Sequence, residues 1–140
     1  MAGPFRTQRR VEFCDTDMAG IMHFSAFFKY MESAEHELLR HVGLSVVASD
    51  AQGPIGFPRV GASCDFLSPV RFEDILDIEV LVNGMSDRSI TYQFDFQHQG
   101  RQVASGKMTS VCCRLNPGSA PSSIPIPDWI ANKLKGMLRV

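Results

Sequence analysis

Asp15, Asp17, Gly20, His23 and Phe24 fall within ten residues of one another, in Asp15-Thr16-Asp17-Met18-Ala19-Gly20-Ile21-Met22-His23-Phe24. A β-prone run leads into this acidic turn, and a long helical pattern follows it. The layout sets Asp17 shortly before a helix N-terminus. Such termini present amide N–H groups without intrahelical partners and carry a partial positive charge. A carboxylate that can attack a carbonyl, beside amides that can hold the developing oxyanion, suits acyl transfer. The same residues can also be read as a turn that caps a helix and keeps it soluble.

Other chemistries find weaker footing. Asp15-Thr16-Asp17-x-x-Gly20 opens like a calcium loop, but Ala19 and Ala26 stand where oxygen ligands are required. His36-Glu37-Leu38-Leu39-Arg40-His41 approaches a zinc-protease helix, yet its second histidine comes one residue late to share a face. No G-x-S-x-G elbow and no glycine-rich phosphate loop occur. No metal is therefore expected. The four cysteines, Cys14, Cys64, Cys112 and Cys113, form no C-x-x-C pair and read as buried small hydrophobes in a reducing cytosol.

The elements that must position the turn follow from periodicity. Phe5 to Phe13 reads as a strand. A helix is predicted from about Phe24 to Val42, with Phe27, Met31, Ala34, Leu38 and Val42 as its apolar stripe and Gly43 as its cap. Residues 44–57 read as a mobile connection. Val60, Ala62, Cys64 and Phe66 then alternate with more polar neighbours. So do Leu76, Ile78, Val80 and Val82, and again Ile90, Tyr92, Phe94 and Phe96. Gln99-Gly100 marks a hairpin, and Val103 to Leu115 a last long strand. Residues 116–127 are rich in Pro, Ser and Gly and read as a linker. Asp128 is placed to cap a short terminal helix over 128–140. One α+β domain over 1–140 is expected, with its core at about 5–115 and one helix beside a curved antiparallel sheet of about five strands.

Bulk properties set further bounds. The chain has 140 residues, 44% of them hydrophobic and 21% charged, with a net charge of −1. That charge gives no reason to expect nucleic acid or an acidic membrane as a partner. The N-terminal residues lack the charged and apolar regions of a signal peptide. No apolar run approaches the ~20 residues of a membrane span. A cytoplasmic location is expected.

The turn, together with Phe28-x-Tyr30-x-Glu32-x-Ala34, resembles the hotdog-fold acyl-CoA thioesterases, in particular the 4-hydroxybenzoyl-CoA thioesterase group and its short-chain relatives. Pro58-Arg59-Val60, Ser68-Pro69-Val70-Arg71-Phe72-Glu73-Asp74 and Arg88-Ser89-Ile90-Thr91-Tyr92 are similar to the approaches to later strands in that family. The resemblance implies a helix wrapped by the sheet, and dimers or tetramers with the active site at a subunit interface. It implies Asp17 as the catalytic carboxylate, acting as nucleophile or as general base. It implies the Phe24 main-chain N–H as the group that polarises the thioester carbonyl. Some short-chain relatives carry histidine at the place of Phe24; here His23 is adjacent and could assist the water or line the acyl pocket.

Gly20 and Tyr30 are further candidates for the substrate site on the same resemblance. Coenzyme A brings phosphates, so a basic pocket mouth is expected. Arg59, Arg88 with Ser89, and Lys107 are the candidates for it. Coenzyme A enters as part of the substrate, with no separate cofactor. Two other activities stay open at this point: a hotdog enoyl-CoA hydratase or dehydratase, for which His23 speaks, and a non-catalytic acyl-CoA-binding module.

Overall fold

The fold, a computed structural model, describes residues 3–138. The helical stripe forms α1, Ala26–His41, with Phe27, Met31, Ala34 and Leu38 all buried. It begins two residues later than periodicity predicts, because residues 23–25 make a turn instead. The Ala26 N–H donates to His23 O at 3.0 Å, and the Ser25 N–H donates to His23 Nδ1 at 3.2 Å. Gly43, at φ +82°, reverses the chain at the other end. There the Leu44 N–H reaches Leu39 O at 2.7 Å, satisfying a carbonyl that the helix leaves open.

Five strands form one antiparallel sheet: β1 (Phe5–Arg10), β4 (Arg59–Phe66), β5 (Ile75–Met85), β6 (Ser89–His98) and β7 (Arg101–Val111), in the order β1-β5-β6-β7-β4. The alternating residues Leu76, Ile78, Val80 and Val82 of β5 and Ile90, Tyr92, Phe94 and Phe96 of β6 are buried. α1 packs on this inner face. The Phe27 ring meets that of Phe96 with centroids 5.4 Å apart and planes at 81°. At Gly106 of β7 an added Cβ would lie 2.8 Å from Met31 Cε, so the missing side chain is what lets the helix approach. Each large apolar side chain buried here contributes about 1.5–3 kcal/mol. The hairpin at Gln99-Gly100 has φ of +50° and +79°, the left-handed pair that a tight two-residue turn requires.

Several predicted boundaries are corrected. The first strand stops at Arg10, and Phe13–Asp15 wind into one 3-10 turn. Residues 44–57, read as a mobile connection, hold β2 (Ala48–Asp50) and β3 (Gly53–Gly56). Those strands join β8 (Cys113–Arg114) and β9 (Ser122–Ser123) in a second, small sheet. Asp50 and Arg114 lock it through contacts of 2.7 and 3.0 Å. The segment 116–127 thus supplies a strand, and its Ile126 N–H donates to Asp87 O at 2.9 Å. α2, Asp128–Lys135, has Pro127 at its N-cap with no side-chain cap, so Asp128 does not cap it. Its Lys133 Nζ donates to Gly43 O at 3.2 Å, tying it to the end of α1. Cys112 and Cys113 are buried, Cys64 is half-buried, and Cys14 is exposed, against expectation; none is in a disulfide. Among the described residues no helix is long and apolar enough to cross a membrane.

Candidate active site

Asp17 sits in a turn built from its own backbone. The Gly20 N–H donates to Asp17 O at 2.9 Å, and Asp17 N–H donates to Ile21 O at 2.9 Å. Gly20 adopts φ +77°, which a glycine takes without the Cβ penalty. The carboxylate Oδ1 accepts the Ala19 N–H at 2.9 Å and the Ile21 N–H at 3.5 Å. Oδ2 has no hydrogen-bond partner among the described residues, which leaves its lone pairs for a water or a carbonyl carbon.

Contacts to the loop after β4 and to α1 fix this turn to the fold. The Met22 N–H donates to Val70 O at 2.8 Å, joining it to the loop that follows β4. Asp15 anchors it to α1: the residue is 6% exposed, and its carboxylate takes Lys29 Nζ at 2.6 Å and the Tyr30 hydroxyl at 2.8 Å. Burial pushes the Asp15 carboxyl up, but the Lys29 ammonium and the Tyr30 hydroxyl outweigh it and hold it below the usual value. Tyr30 is therefore spent inside the protein. It is 2% exposed, and its pKa is pushed up to about 12 by burial first, opposed by the Glu12 N–H it accepts and raised further by Asp15.

Between the two loops lies an open groove of about 410 Å³ lined by Asp17, Ile21, Phe24, Phe27, Phe66 and Pro69, among others. Its walls are apolar apart from Asp17 and Ser68. Phe24 lies two residues before α1, its ring 61% exposed and edge-on to Phe66 at 6.3 Å. Its backbone N–H has no acceptor among the described residues. Since Ser25 makes no side-chain cap, the start of α1 is open in the same place. Asp17 and Phe24, the latter with a backbone N–H unpaired among the described residues, thus line one groove beside the start of α1. That is the equipment for adding a nucleophile to a carbonyl and holding the resulting oxyanion.

His23 is adjacent but engaged. Its Nδ1 accepts the Ser25 N–H at 3.2 Å and lies 2.8 Å from Ser25 Oγ, which places the proton of a neutral ring on Nε2. The His23 N–H donates to Asp15 O at 2.7 Å.

The predicted basic residues are not beside this groove within one protomer. Arg59 is seven residues up β4 from Phe66, roughly 23 Å at strand rise. Its guanidinium is committed to Glu35 (2.5 and 2.9 Å), Ser110 Oγ (2.9 Å) and Glu32 (3.2 Å). Glu35 is 2% exposed, and burial raises its pKa despite the Arg59 cation. Arg88 donates to Ser123 O at 2.8 Å, and Ser89 pairs with Ser86, both near the Arg59 end of the sheet. Lys107 is exposed on the middle of β7. A second void of about 10 Å³, lined by Glu35, Tyr92 and Leu134 among others, has room for one water. It lies about 14 Å along α1 from the helix start.

Sequence reasoning missed the far wall of the groove, Phe66-Leu67-Ser68-Pro69-Val70, and the Arg71 that follows it. The proline-containing turn was visible in the sequence, but nothing local tied it to Asp17.

The profile of a family described as "Thioesterase-like superfamily" matches residues 11–134. The chain belongs to that superfamily. It is similar to the 1,4-dihydroxy-2-naphthoyl-CoA hydrolase of Prochlorococcus marinus (strain MIT 9211), with 26% identity over 91% of this chain and 89% of the relative. It is also similar to the acyl-CoA thioester hydrolase YbgC of Escherichia coli, with 25% identity over 86% of this chain and 92% of the relative. Among solved structures, a gentisyl-coenzyme A thioesterase superposes with a TM-score of 0.79 at 29% identity, covering 93% of this chain and 99% of that one. A 1,4-dihydroxy-2-naphthoyl-CoA thioesterase from Synechocystis superposes with a TM-score of 0.83, covering 95% and 96%; at 24% identity it speaks for the fold alone. The resemblance to hotdog thioesterases read from the acidic turn is thereby borne out. So is the reading of the chain as a thioester-hydrolase enzyme.

Proposed function

We propose that this thioesterase-superfamily chain hydrolyses an acyl-CoA thioester to the free acid and coenzyme A in the groove beside Asp17. The observation that carries the reading is a groove lined by both Asp17 and Phe24, where the Asp17 Oδ2 has no partner and the Phe24 N–H no acceptor among the described residues. The carbonyl oxygen would take the Phe24 amide and the open start of α1. Asp17 would then accept a proton from water as the hydroxide oxygen adds to the carbonyl carbon, or add to that carbon itself and be released by water. In either course the tetrahedral centre collapses with loss of the coenzyme A thiolate, which ends as the thiol. A thiolate leaves readily, so the site needs little acid catalysis.

The groove of one protomer is open on one side, and β4 supports a second copy as the missing wall. Among the described residues it is an edge strand paired only with β7, and six of its eight residues are exposed, including Val60 at 64% and Phe66 at 49%. Such an edge is a liability unless it is covered. An isologous pairing of β4 with a second β4 would run the strands antiparallel. It would bring the partner's Arg59 and Arg88 end toward this Phe66 end. The wrapped-helix hotdog arrangement, with its site at the subunit interface, is the architecture that meets these demands. Four unpaired cysteines fit a reducing, cytoplasmic compartment.

The test is thiol release from a panel of acyl-CoAs by the wild type and Asp17→Asn. The variant should keep its circular-dichroism spectrum and lose about 10²–10⁴-fold in kcat, the span typical of a lost proton-transfer group. A variant as fast as the wild type on every substrate would remove Asp17 from the mechanism. A wild type that adds water to an enoyl-CoA, or binds acyl-CoA, without ever releasing thiol would overturn the hydrolase reading.

A further inference from the structure

We propose that Arg71 and Arg101 form the seat for a phosphate at the nucleotide end of the substrate, an inference that rests on the acyl-CoA reading above. Arg71 directly follows the loop that forms the far wall of the groove, and Arg101 donates into that loop; both are exposed. Arg71 Nη1 donates to Gly20 O at 3.2 Å, on the side of the Asp17 turn. Arg101 Nη1 donates to Pro69 O at 3.0 Å and to Ser68 Oγ. Two residues lie between Ser68, which holds Arg101, and Arg71, so the Cα atoms of Ser68 and Arg71 are within about 11 Å of each other.

The side-chain partners of these two cations among the described residues are neutral, as is that of Lys133. Arg6, Lys29, Arg59, Arg88 and Arg114 all sit in ion pairs with carboxylates. The described side-chain partners of Arg71 and Arg101 are two carbonyls and a hydroxyl, all neutral. Asp74, in the same turn, spends Oδ2 on the Arg71 backbone N–H at 2.9 Å, and its Oδ1 faces His98 Nε2 at 3.8 Å. Each guanidinium has five N–H donors, and one nitrogen of each is engaged. Carbonyl partners hold the fork in place without cancelling its charge. A planar, pre-placed fork matches the paired oxygens of a phosphate. An acyl-CoA whose acyl group enters an apolar groove must leave its phosphates at such a rim, in water and beside positive charge.

Both arginines also brace the groove loops, so the test must separate bracing from anion binding. One acyl group is presented on coenzyme A and on pantetheine, which keeps the reacting carbonyl and the arm but has no phosphate. The ratio of kcat/KM for the two thioesters is measured for the wild type, Arg71→Gln and Arg101→Gln. That ratio should fall roughly ten- to hundredfold in each variant, the span of a lost charge-assisted contact. Arg71→Lys, which keeps the charge and loses the fork, should give an intermediate ratio. Equal losses on both substrates, with the ratio unmoved, would reduce the arginines to loop braces and overturn the seat.

Calorimetry with adenosine 3′,5′-bisphosphate reads the seat without catalysis. The wild type should bind at least tenfold tighter than either glutamine variant, and equal binding overturns the proposal. Failure of the wild type to hydrolyse either thioester would instead count against the thioesterase reading.

Discussion

Replacing Arg59 by methionine tests the most consequential buried charge in the protein. Glu35 is 2% exposed, and both of its oxygens accept from Arg59. Methionine keeps the length of the stem and removes the cation, which strands a carboxylate in the core. The less costly response is for Glu35 to take up a proton on folding. That costs about 1.4 kcal/mol for each pH unit above the unfolded-state value of about 4.3, hence at most about 3.7 kcal/mol at pH 7 and about 1 kcal/mol at pH 5, less the share the wild type already bears because burial raises its Glu35 pKa. The figure at pH 7 falls within the about 3–5 kcal/mol measured when one partner of a buried pair is removed. It is a large share of the about 5–15 kcal/mol that holds a domain together.

The sign follows from proton counting. In the variant the folded chain holds one more proton than the unfolded chain between about pH 4.3 and the raised folded pKa, so stability falls as pH rises through that window. Urea denaturation of wild type and Arg59→Met at pH 5 and pH 7, at fixed protomer concentration, measures the gap directly. Adding Glu35→Leu removes the stranded charge and should recover most of the loss. A gap below about 1 kcal/mol at pH 7, or one that does not change with pH, would refute this reasoning.

Two further outcomes follow from the same geometry. Tyr30→Phe removes one of the two contacts that outweigh burial at Asp15 and should cost about 1–3 kcal/mol at pH 7. Because the folded Asp15 pKa is depressed, its contribution is present above the unfolded value of about 3.9 and is lost as pH falls through the folded one. The variant should therefore unfold in acid at a higher pH than the wild type; an unchanged acid midpoint by tryptophan fluorescence or circular dichroism would show that Asp15 does not depend on Tyr30. Val60→Lys, at an exposed position on edge strand β4, should weaken self-association in sedimentation velocity. A wild type that sediments as a monomer would refute the paired-edge reading.

Some of this protein is written in short stretches of its chain. The four- and three-residue spacing of Phe27, Met31, Ala34 and Leu38 determines an amphipathic helix, because only that spacing lines up one face. Alternation in Leu76–Val82 and Ile90–Phe96 determines half-buried strands, because successive side chains leave a strand on opposite faces. The acidic turn with its glycine carries the resemblance to the thioesterases, and the family match over residues 11–134 accords with that resemblance.

Tertiary structure decided the rest. Arg59 and Tyr30 have residue types suited to a substrate, yet one is held by Glu35 and the other by Asp15. Those partners are 24 and 15 residues away in the chain. No local pattern reveals which of several arginines will meet a buried carboxylate. Residues 44–57 lacked a strand signal because β3 is ordered by pairing with Cys113–Arg114, far along the chain, and β2 by pairing with β3. The far wall of the groove, with Arg71 behind it, is tied to the Asp17 turn by the Met22 amide on Val70 O and by Arg71 on Gly20 O. Periodicity reports what a segment does with its own neighbours, whereas a site is assembled by contacts between segments that the folded chain alone brings together.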